Sequence, residues 1–457
     1  MHMSSTLIRN ASAILSGLEG SLARCSATDI RIEGSLITEM GRLTPQPGED
    51  LVDATDCVVY PGFVNTHHHL FQSMLKGVPS GLNESLFMWL QSVPYRYGPY
   101  LGEEAVEIAA TIGIAELLLS GCTTVADHHY LYGTNMGYDP SETLFRVAQR
   151  FGVRFVLLRG GATMGRSFAT QERPPMPTQS VDLFLCEVEH STRQFHDPSP
   201  QAMRKVVMAP TTPFYSCTPT ELVEMAKAAR RWGIRMHSHL SETADYVHFA
   251  RDVLKSRPVD WCAEHEWIGP DVSFAHMVHL DEAEIKLCGQ TQTAIAHCPQ
   301  SNGRLGSGVA PVQALQASGA TVSIGVDGAA SNEAADMISE LHAAWLIHRA
   351  VKGAGSTPVE TLVHWATANG AKVLGLDQVG TLAPGMQADV VLYDLNHPRY
   401  AGNHDPATAL ITAGGAAHVK QAWVAGQTVV KGGQIPGFDC SEWAARARRL
   451  VQQIQNT

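Results

Sequence analysis

The sequence lacks the long apolar runs that a membrane-spanning helix needs. Such a helix requires about 20 consecutive apolar residues, and no run of that kind occurs in the 457 residues. The first residues, MHMSSTLIRNASAILSG, lack the basic start, the apolar stretch and the small-residue cleavage site of a secretory signal. We therefore expect a cytoplasmic protein with no membrane partner.

Positive charge is also scarce. The chain has 33 Lys and Arg residues against 44 Asp and Glu residues, which gives a formal net charge of −11. Nucleic acids and anionic membranes bind basic surfaces, so this balance disfavours both as partners. The nine cysteines form no CxxC pair and fall largely in apolar segments, which favours reduced, buried thiols.

Several well-defined catalytic motifs are absent. There is no GxGxxG after a strand, no GxxxxGK[ST] and no GxSxG. The H-x-E and PCxxC pair of the small nucleobase deaminases is missing as well. Dehydrogenase, kinase and serine-hydrolase functions therefore lose their main support.

What the middle of the chain does contain is a regular alternation of buried-strand and helix patterns. The eight candidate strands are CVVYPGFV, CTTVAD, VRFVLL, KVVMAP, IRMHSHL, VSFAHM, TAIAHC and TVSIGVD. Several of the helical segments between them begin after Ser, Thr or Asp and end at Gly, as capped helices do. Eight strands with intervening helices predict an α/β fold, a parallel (β/α)₈ barrel. A doubly wound sheet is the alternative.

Both ends of the chain are rich in short strand patterns instead. Neither end alone could bury a core, so we expect them to form one discontinuous β-sandwich domain. The predicted division is 1–59 for the first sandwich part, 60–377 for the barrel, and 378–457 for the second part with a C-terminal helix. Two long insertions, Gly77–Tyr100 and Gly160–Pro177, are predicted to lack regular secondary structure and to lie over the barrel mouth.

The segment PGFVNTHHH places two histidines in a position to bind a metal ion. His67 and His69 are two residues apart at the end of an apolar strand. On extended chain their side chains leave from the same face, whereas His68 points the other way. A histidine-rich turn or a tag-like tract is the alternative, but tags lie at chain termini, whereas this triplet lies inside an apolar strand pattern.

Further ionisable residues follow the later strands. They are His239 and Glu242 after strand five, His276 after strand six, His297 after strand seven and Asp327 after strand eight. The carboxyl ends of barrel strands meet on one face, so these residues would come together in a barrel and not in a doubly wound sheet. A single histidine at a strand end is more often a satisfied polar group, but the whole set favours a site.

The donor types indicate the chemistry of this site. Three imidazoles (His67, His69 and His239) with the Asp327 carboxylate suit one divalent ion, zinc first and iron as the alternative. Glu242, three residues beyond His239, is expected to shuttle protons next to the ion. His276 is expected to stabilise the attacking oxygen or bind the substrate.

Other histidines receive weaker predictions. His128 and His129, after strand two, are expected to line the pocket. His237 shares a face with His239 and is expected to have a buried structural role, and no partner can be identified for His348.

The segments PGFVNTHHH, HSHLSET, FAHMVHL, AHCPQSN and GVDGAASNE resemble, in order, those of the metal-dependent amidohydrolase superfamily. The nearest branch contains deaminases and chlorohydrolases of aromatic rings. The resemblance implies His67, His69, His239 and Asp327 as metal ligands and Glu242, His276 and Asp327 as catalytic residues. KVVMAP offers no lysine to bridge a second ion, which implies one metal ion. The β-sandwich from both chain ends is also implied.

Within this branch, LLRGGATMGR and APTTPFYS are similar to the isoxanthopterin deaminases, and NTHHHLFQ and DHHYLY to the 8-oxoguanine deaminases. For substrate binding we predict Gln72, whose carboxamide can both donate and accept, and Arg159, whose fork suits an oxo group. An ion pair with a carboxylate of the barrel is the alternative for Arg159. Asn332 is a further candidate, and His276 is expected to contact the substrate too.

The resulting hypothesis is hydrolytic deamination of an amino-oxo heteroaromatic ring of the isoxanthopterin type. The alternatives are 8-oxoguanine or guanine deamination and displacement of chloride or an alkylamine from a triazine. A scaffold without activity would have lost metal ligands, and none is missing here. We expect a small heteroaromatic molecule as the partner and a homo-oligomer, dimer or larger, as the assembly.

Overall fold

Eight parallel strands form the central sheet, in a computed structural model that describes residues 5–134, 136–165 and 176–455. In chain order the strands of the described residues are β1 (Ser5–Arg9), β2 (Ala13–Ile14), β3 (Asp29–Glu33), β4 (Leu36–Gly41), β5 (Asp50–Asp53), β6 (Cys57–Pro61), β7 (Phe63–Asn65), β8 (His68–His69), β9 (Cys122–His129), β10 (Arg154–Arg159), β11 (Arg204–Met208), β12 (Met236–Leu240), β13 (Val272–His276), β14 (Ala294–His297), β15 (Val322–Ile324), β16 (Asp327–Gly328), β17 (Val390–Asp394), β18 (Val419–Val424) and β19 (Gln427–Lys431).

Helices surround this sheet. The α-helices are α1 (Leu86–Ser92), α2 (Pro94–Tyr97), α3 (Glu103–Leu119), α4 (Pro140–Phe151), α5 (Val181–Phe195), α6 (Pro219–Trp232), α7 (Ala244–Phe249), α8 (Pro258–Glu264), α9 (Glu282–Thr291), α10 (Pro299–Arg304), α11 (Val312–Ser318), α12 (Met337–Lys352), α13 (Val359–His364), α14 (Gly370–Leu374), α15 (Ala409–Ala413) and α16 (Cys440–Gln455). Short 3₁₀ turns lie at Gly20–Leu22, Leu70–Met74, Pro79–Gly81 and Gly98–Tyr100, and π-helical turns at Ala250–Leu254 and Trp365–Asn369. Among the described helices, none is both long and apolar enough to cross a membrane.

The central sheet closes into the predicted barrel. Its order is β7, β9, β10, β11, β12, β13, β14 and β15, all parallel. The two ends join where the Thr66 N–H donates to the Ile324 carbonyl at 3.0 Å. Beyond this bond, β16 pairs in parallel with β8. The (β/α)₈ prediction is therefore confirmed, and the doubly wound alternative is excluded.

The first predicted strand, CVVYPGFV, is in fact two strands in two different sheets. Residues of β6 pair with β17 and β2 in the small domain, whereas β7 pairs with β9 in the barrel. Gly62 joins them, and a Cβ there would lie 2.0 Å from Thr123 Oγ1. The close approach to Thr123 requires glycine at this position. Because β6 and β7 are both buried, their apolar residues form one continuous run in the sequence, and the change from one sheet to the other cannot be seen in it.

The two chain ends form the predicted β-sandwich. One sheet has the order β4, β3, β1, β5, and the other has the order β19, β18, β17, β6, β2, which mixes residues from both ends. Buried side chains of the two sheets share one core, with Ile30 and Ile32 from the first and Leu392 and Trp423 from the second. The boundaries at 59/60 and 377/378 stay predictions, and the sandwich strand that crosses the first of them ends at Pro61.

The first insertion is more regular than expected. Residues 77–100 contain α1, α2 and two 3₁₀ turns. The buried Trp89 holds α1 close to the barrel mouth because its Nε1–H donates to the Ala330 carbonyl at 3.1 Å. Of the second insertion, residues 166–175 lie outside the described residues.

A buried ion pair links the barrel to the sandwich. The Arg154 guanidinium donates to both oxygens of Asp389, at 2.7 and 2.9 Å. The exposed fractions of the two side chains are 0% and 1%. Water cannot easily take the place of either side chain at this buried position. The pair therefore fixes how the barrel and the sandwich are joined.

We expect Asp389→Ala to lower the free energy of unfolding by about 3–5 kcal/mol, because it leaves the Arg154 charge buried and unpaired. Asp405→Ala is the matched control. It breaks the Arg24 pair, whose side chains are 49% and 40% exposed, and should cost less than about 1 kcal/mol. Urea unfolding of both variants measures the difference, and equal losses would contradict the expectation.

Candidate active site

The carboxyl ends of the strands bring together the donors that the sequence pattern predicts. Nε2 of His69 lies 3.2 Å from Nε2 of His239 and 3.2 Å from Oδ1 of Asp327. Nε2 of His67 lies 3.4 Å from the same carboxylate oxygen. Four ligands at about 2.0–2.1 Å from a tetrahedral zinc ion are about 3.3 Å apart. The four side chains therefore have the spacing of ligands around one ion.

Hydrogen bonds on the far sides of the rings orient two of these ligands. Nδ1 of His69 bonds the His128 carbonyl at 2.7 Å, and Nδ1 of His239 bonds the Thr211 carbonyl at 2.6 Å. A carbonyl can only accept, so each Nδ1 carries the proton. Each Nε2 then directs its lone pair toward the centre, as metal-binding imidazoles do.

His67 is supported by another imidazole. Its Nδ1 lies 2.9 Å from Nε2 of His237, and Nδ1 of His237 lies 2.8 Å from the Ser273 hydroxyl. All three side chains are buried. The structural role predicted for His237 is thus the support of His67, one layer below the ligands.

We expect His237→Phe to weaken zinc binding by about 10- to 100-fold, the usual effect of losing a partner behind a ligand. The phenyl ring occupies similar space but leaves Nδ1 of His67 without its acceptor. His196→Phe removes a half-buried histidine that bonds the Val206 N–H and should leave the affinity unchanged. Chelator competition measures both dissociation constants, and an unaltered value for His237→Phe would refute the support role.

Burial and charge set the protonation states of the donors. Burial lowers the pKa of His67 to about 4 and holds the pKa of His239 well below its usual range. Both rings are therefore neutral at pH 7 and can bind a metal ion. Burial acts to raise the pKa of Asp327, but the adjacent imidazoles of His67 and His69 outweigh it and hold that pKa well below its usual range. The carboxylate is ionised.

Glu242 and His276 lie beside this donor set. Nε2 of His276 is 3.6 Å from Oε2 of Glu242 and 4.0 Å from Oδ2 of Asp327. Both side chains are nearly buried, with exposed fractions of 6% for Glu242 and 1% for His276. The arrangement places a carboxylate and an imidazole where they can hold or move protons next to the ion.

The short helix α10 contributes two residues that the sequence reasoning missed. The Ser301 hydroxyl donates to Oδ2 of Asp327 at 2.5 Å, and the Asn302 Oδ1 lies 2.9 Å from Nδ1 of His276. Ser331 adds a second donor to Oδ2 of Asp327 at 3.2 Å. The polar run after strand seven, in AHCPQSN, is the signal that could have indicated them.

Strained backbone marks the same strand ends. Ser241, His276, Met277 and Asp327 have φ values of 50°, 75°, 44° and 60°, in the left-handed region. Non-glycine residues there cost about 1–2 kcal/mol each. Such outliers persist where surrounding contacts hold them and are frequent at functional sites.

The histidines of β9 divide between two faces. His128 belongs to a set with His67, His69 and His239 whose ligand atoms lie within 4.8 Å of one another. His129 faces the other way and packs against Phe71, with ring centroids 5.9 Å apart. Because neighbouring side chains of a strand alternate, His128 faces the donor set and His129 does not.

Among the described residues, a second ligand set contains His67, His239, His276 and Asp327, and His297 belongs to neither set. Its Nε2 is 2.9 Å from Nε2 of His348, for which the sequence had suggested no partner. Both side chains are buried. The strand-end pattern therefore included one histidine whose partner lies on the helix α12 rather than among the donors.

The predicted substrate residues have different surroundings. Gln72 is buried, and its carboxamide lies so close to β16 that a Cβ at Gly328 would be 1.8 Å from Oε1. Gln72 is thus adjacent to Asp327. Asn332 is engaged locally, because its Nδ2 donates to the Val326 carbonyl and its Oδ1 accepts from the Ala334 N–H at 2.9 Å.

Arg159 takes part in an ion pair, which was the alternative expectation, although its partner comes from a helix. Its guanidinium donates to Oε2 of Glu187 on α5 at 2.5 Å and to Oε1 of Gln179 at 3.1 Å. It also lies over the Tyr132 ring, 3.5 Å from the centroid. Contact of Arg159 with the substrate stays a prediction.

The chain is similar in sequence to known proteins over nearly its whole length. The sequence pattern of the amidohydrolase family matches residues 58–429. The chain is 49% identical to an isoxanthopterin deaminase from an unknown prokaryotic organism, over 98% of this chain and 97% of that protein. It is 37% identical to an 8-oxoguanine deaminase of Pseudomonas aeruginosa, over 99% of each chain.

Solved structures agree with these sequence relationships. The crystal structure of atrazine chlorohydrolase from Arthrobacter aurescens, complexed with zinc, matches with a TM-score of 0.88 at 26% identity. The match covers 98% of this chain and 100% of that chain. This chain and that chlorohydrolase thus share one architecture over nearly their whole lengths.

Proposed function

The chain belongs to the amidohydrolase family, and we propose that it hydrolyses the ring amine of an isoxanthopterin-type pterin and releases ammonia. It is a metal-dependent hydrolase that acts on C–N bonds. The observation that carries the choice of substrate is the 49% identity to an isoxanthopterin deaminase over nearly the whole chain. The buried donor set and the adjacent Glu242 and His276 support the reaction type.

The donors fit a divalent metal ion, and we propose one zinc ion, with iron as the alternative. Two neutral imidazoles, His67 and His239, are joined by His69 and by the ionised Asp327 at ligand spacing. Nitrogen donors with one carboxylate suit zinc. The zinc in the related chlorohydrolase supports the same choice. Metal analysis of the purified protein decides between the two ions.

His67, His69, His239 and Asp327 would hold the divalent ion, which would supply Lewis acidity and make water reactive at neutral pH. Asp327 then takes a proton from the water that attacks the amine-bearing carbon. Its Oδ2 is oriented for this by Ser301 and Ser331, at 2.5 and 3.2 Å. The carboxylate is therefore held both as a ligand and as a proton acceptor.

Glu242 and His276 complete the proposed proton transfers. Glu242 gives a proton to the ring nitrogen next to the attacked carbon, so that negative charge does not build up there. Nε2 of His276, 3.6 Å from Glu242, holds the attacking oxygen. The amine takes the proton held by Asp327 and leaves as ammonia, and the remaining proton of the former water passes to Glu242 as the carbon keeps the oxygen as an oxo group.

For substrate recognition we propose Gln72 first. Its buried carboxamide lies beside Asp327 and offers a donor and an acceptor to a ring carbonyl and the neighbouring nitrogen. Asn332 and Arg159 are kept as substrate-binding proposals, although both already make bonds within the protein. These two residues would contact the substrate as part of the wall of its binding site.

The second candidate is deamination of 8-oxoguanine, which the 37% identity to an 8-oxoguanine deaminase favours. The same proton transfers serve either ring. Triazine hydrolysis remains the third alternative, because it would use the same metal chemistry.

Ammonia release from a substrate panel tests the proposal. The metal-loaded protein is given isoxanthopterin, pterin, 8-oxoguanine, guanine, cytosine and a chlorotriazine. We expect isoxanthopterin to have the highest kcat/KM. Preference for 8-oxoguanine would favour the second candidate, and chloride release without ammonia would contradict deamination.

We also propose that the chain forms a dimer or larger homo-oligomer. The apolar side chains of Leu82, Phe87 and Met88 are 45–51% exposed on the first insertion, which supports a surface for another subunit. A monomer mass in light scattering would contradict this.

A further inference from the structure

The helix α10 connects the candidate site to a buried carboxylate farther out in the barrel wall. Three consecutive residues of α10 face three different partners. Ser301 donates to Asp327, and Asn302 contacts His276. The residue before them, Gln300, contacts Glu340 of α12. One short helix therefore orients both the proposed base and the proposed oxygen-holding imidazole.

Glu340 holds α10 through two hydrogen bonds. The backbone N–H of Gln300 donates to Oε1 of Glu340 at 2.9 Å, and the Gln300 side-chain amide donates to Oε2 at 2.6 Å. Glu340 has an exposed fraction of 0%. A carboxyl group so far from water is costly unless its oxygens are satisfied, and Gln300 donates to both.

The same face of α12 also contacts the strand that leads into α10. Glu340 and His348 are eight residues apart, close to two helical turns, so their side chains lie on one face. His348 lies 2.9 Å from His297, the last residue of β14. The end of β14 and the start of α10 are thus both fixed against α12.

We propose that Glu340 is a positioning residue for the active site, acting through Gln300 to hold Ser301 and Asn302 against Asp327 and His276. The expected effect of Glu340 on turnover rests on the proposed function. The expected effect of Glu340 on metal binding follows from the Ser301 hydrogen bond to Asp327 and does not depend on the substrate.

The substitution Glu340→Leu should disturb this arrangement. Burial raises the pKa of Glu340 to about 8, and the two Gln300 donors act to lower it. A leucine at 340 offers no acceptor to either Gln300 donor, whereas the carboxamide of a glutamine could still pair with a rotated Gln300 side chain. In Glu340→Leu the helix α10 loses both bonds from Gln300 to α12.

The double variant Gln300→Glu with Glu340→Gln reverses the polarity of the side-chain bond. The donor is then on residue 340 and the acceptor on residue 300, while the backbone bond of residue 300 keeps its acceptor. Recovery in this variant separates positioning from general damage to the fold.

Glu284→Leu is the matched control. Glu284 is also fully buried and accepts the Val259 N–H at 3.0 Å and the Arg257 guanidinium at 2.9 Å. It joins α9 to the segment that begins α8 and contacts no proposed site residue. Its loss should affect stability and leave the site intact.

The experiment measures kcat at saturating zinc and the zinc dissociation constant for each variant. We expect Glu340→Leu to lower kcat and zinc affinity by about tenfold each, with both within about threefold of wild type in the double variant. Wild-type values for both in Glu340→Leu, or equal losses in Glu340→Leu and in the double variant, would overturn the positioning role. If the wild type released no ammonia from any pterin, the proposed function would fail, and zinc affinity would still decide this inference.

Discussion

Replacing Glu242 with Gln is expected to reduce turnover by about 10²- to 10⁴-fold, the range that general acid–base catalysis contributes. The amide keeps the size of the side chain and its place 3.6 Å from His276, but it cannot deliver the proton to the ring nitrogen. Since Glu242 is in neither described ligand set, zinc content should stay at the wild-type value.

Two measurements check this result together. Steady-state ammonia release gives kcat, and metal analysis of the same sample shows that the ion is retained. Glu264→Gln, an exposed glutamate of α8, is the control and should match wild type. Turnover within about tenfold of wild type, with the metal present, would show that another group protonates the ring.

Asp327→Asn is expected to have the second large effect, because one carboxylate has two proposed roles. The loss of the proton acceptor alone should cost about 10²- to 10⁴-fold in turnover. The loss of an anionic donor 3.2–3.4 Å from two imidazoles should weaken zinc binding as well. Activity and affinity should therefore fall together, in contrast to Glu242→Gln.

Ser331→Ala is the control for this variant. It removes the 3.2 Å hydrogen bond to Oδ2 but leaves the carboxylate and Ser301 in place. A single such bond to a charged group is worth about 1.5–3 kcal/mol, which corresponds to a loss of at most about 10- to 10²-fold in turnover, so turnover should fall less than in Asp327→Asn. Zinc-saturated Asp327→Asn with wild-type turnover would assign the base to another residue.

The position of the metal donors could be predicted from the sequence for simple geometric reasons. His67 and His69 share a face because extended chain repeats every two residues. The later donors converge because parallel barrel strands all end on one side. These two rules need no side-chain detail, and the structure brings the same four side chains together.

The contacts around the donors could not be predicted in the same way. Glu340 lies in an amphipathic helical pattern, where a glutamate is usually solvated, yet it is fully buried. The partner of Arg159, Glu187, comes from a helix 28 residues farther along the chain. The division of CVVYPGFV between two sheets depends on the close approach at Gly62. Each of these depends on the packing of distant segments.

The most direct test of the account is the rate of ammonia release from isoxanthopterin by one zinc-loaded preparation, before chelation, after chelation and after zinc is restored. We predict rapid release, its loss on chelation and its recovery with zinc. Release that persists in the metal-free protein would contradict the central claim that His67, His69, His239 and Asp327 hold the ion on which deamination depends.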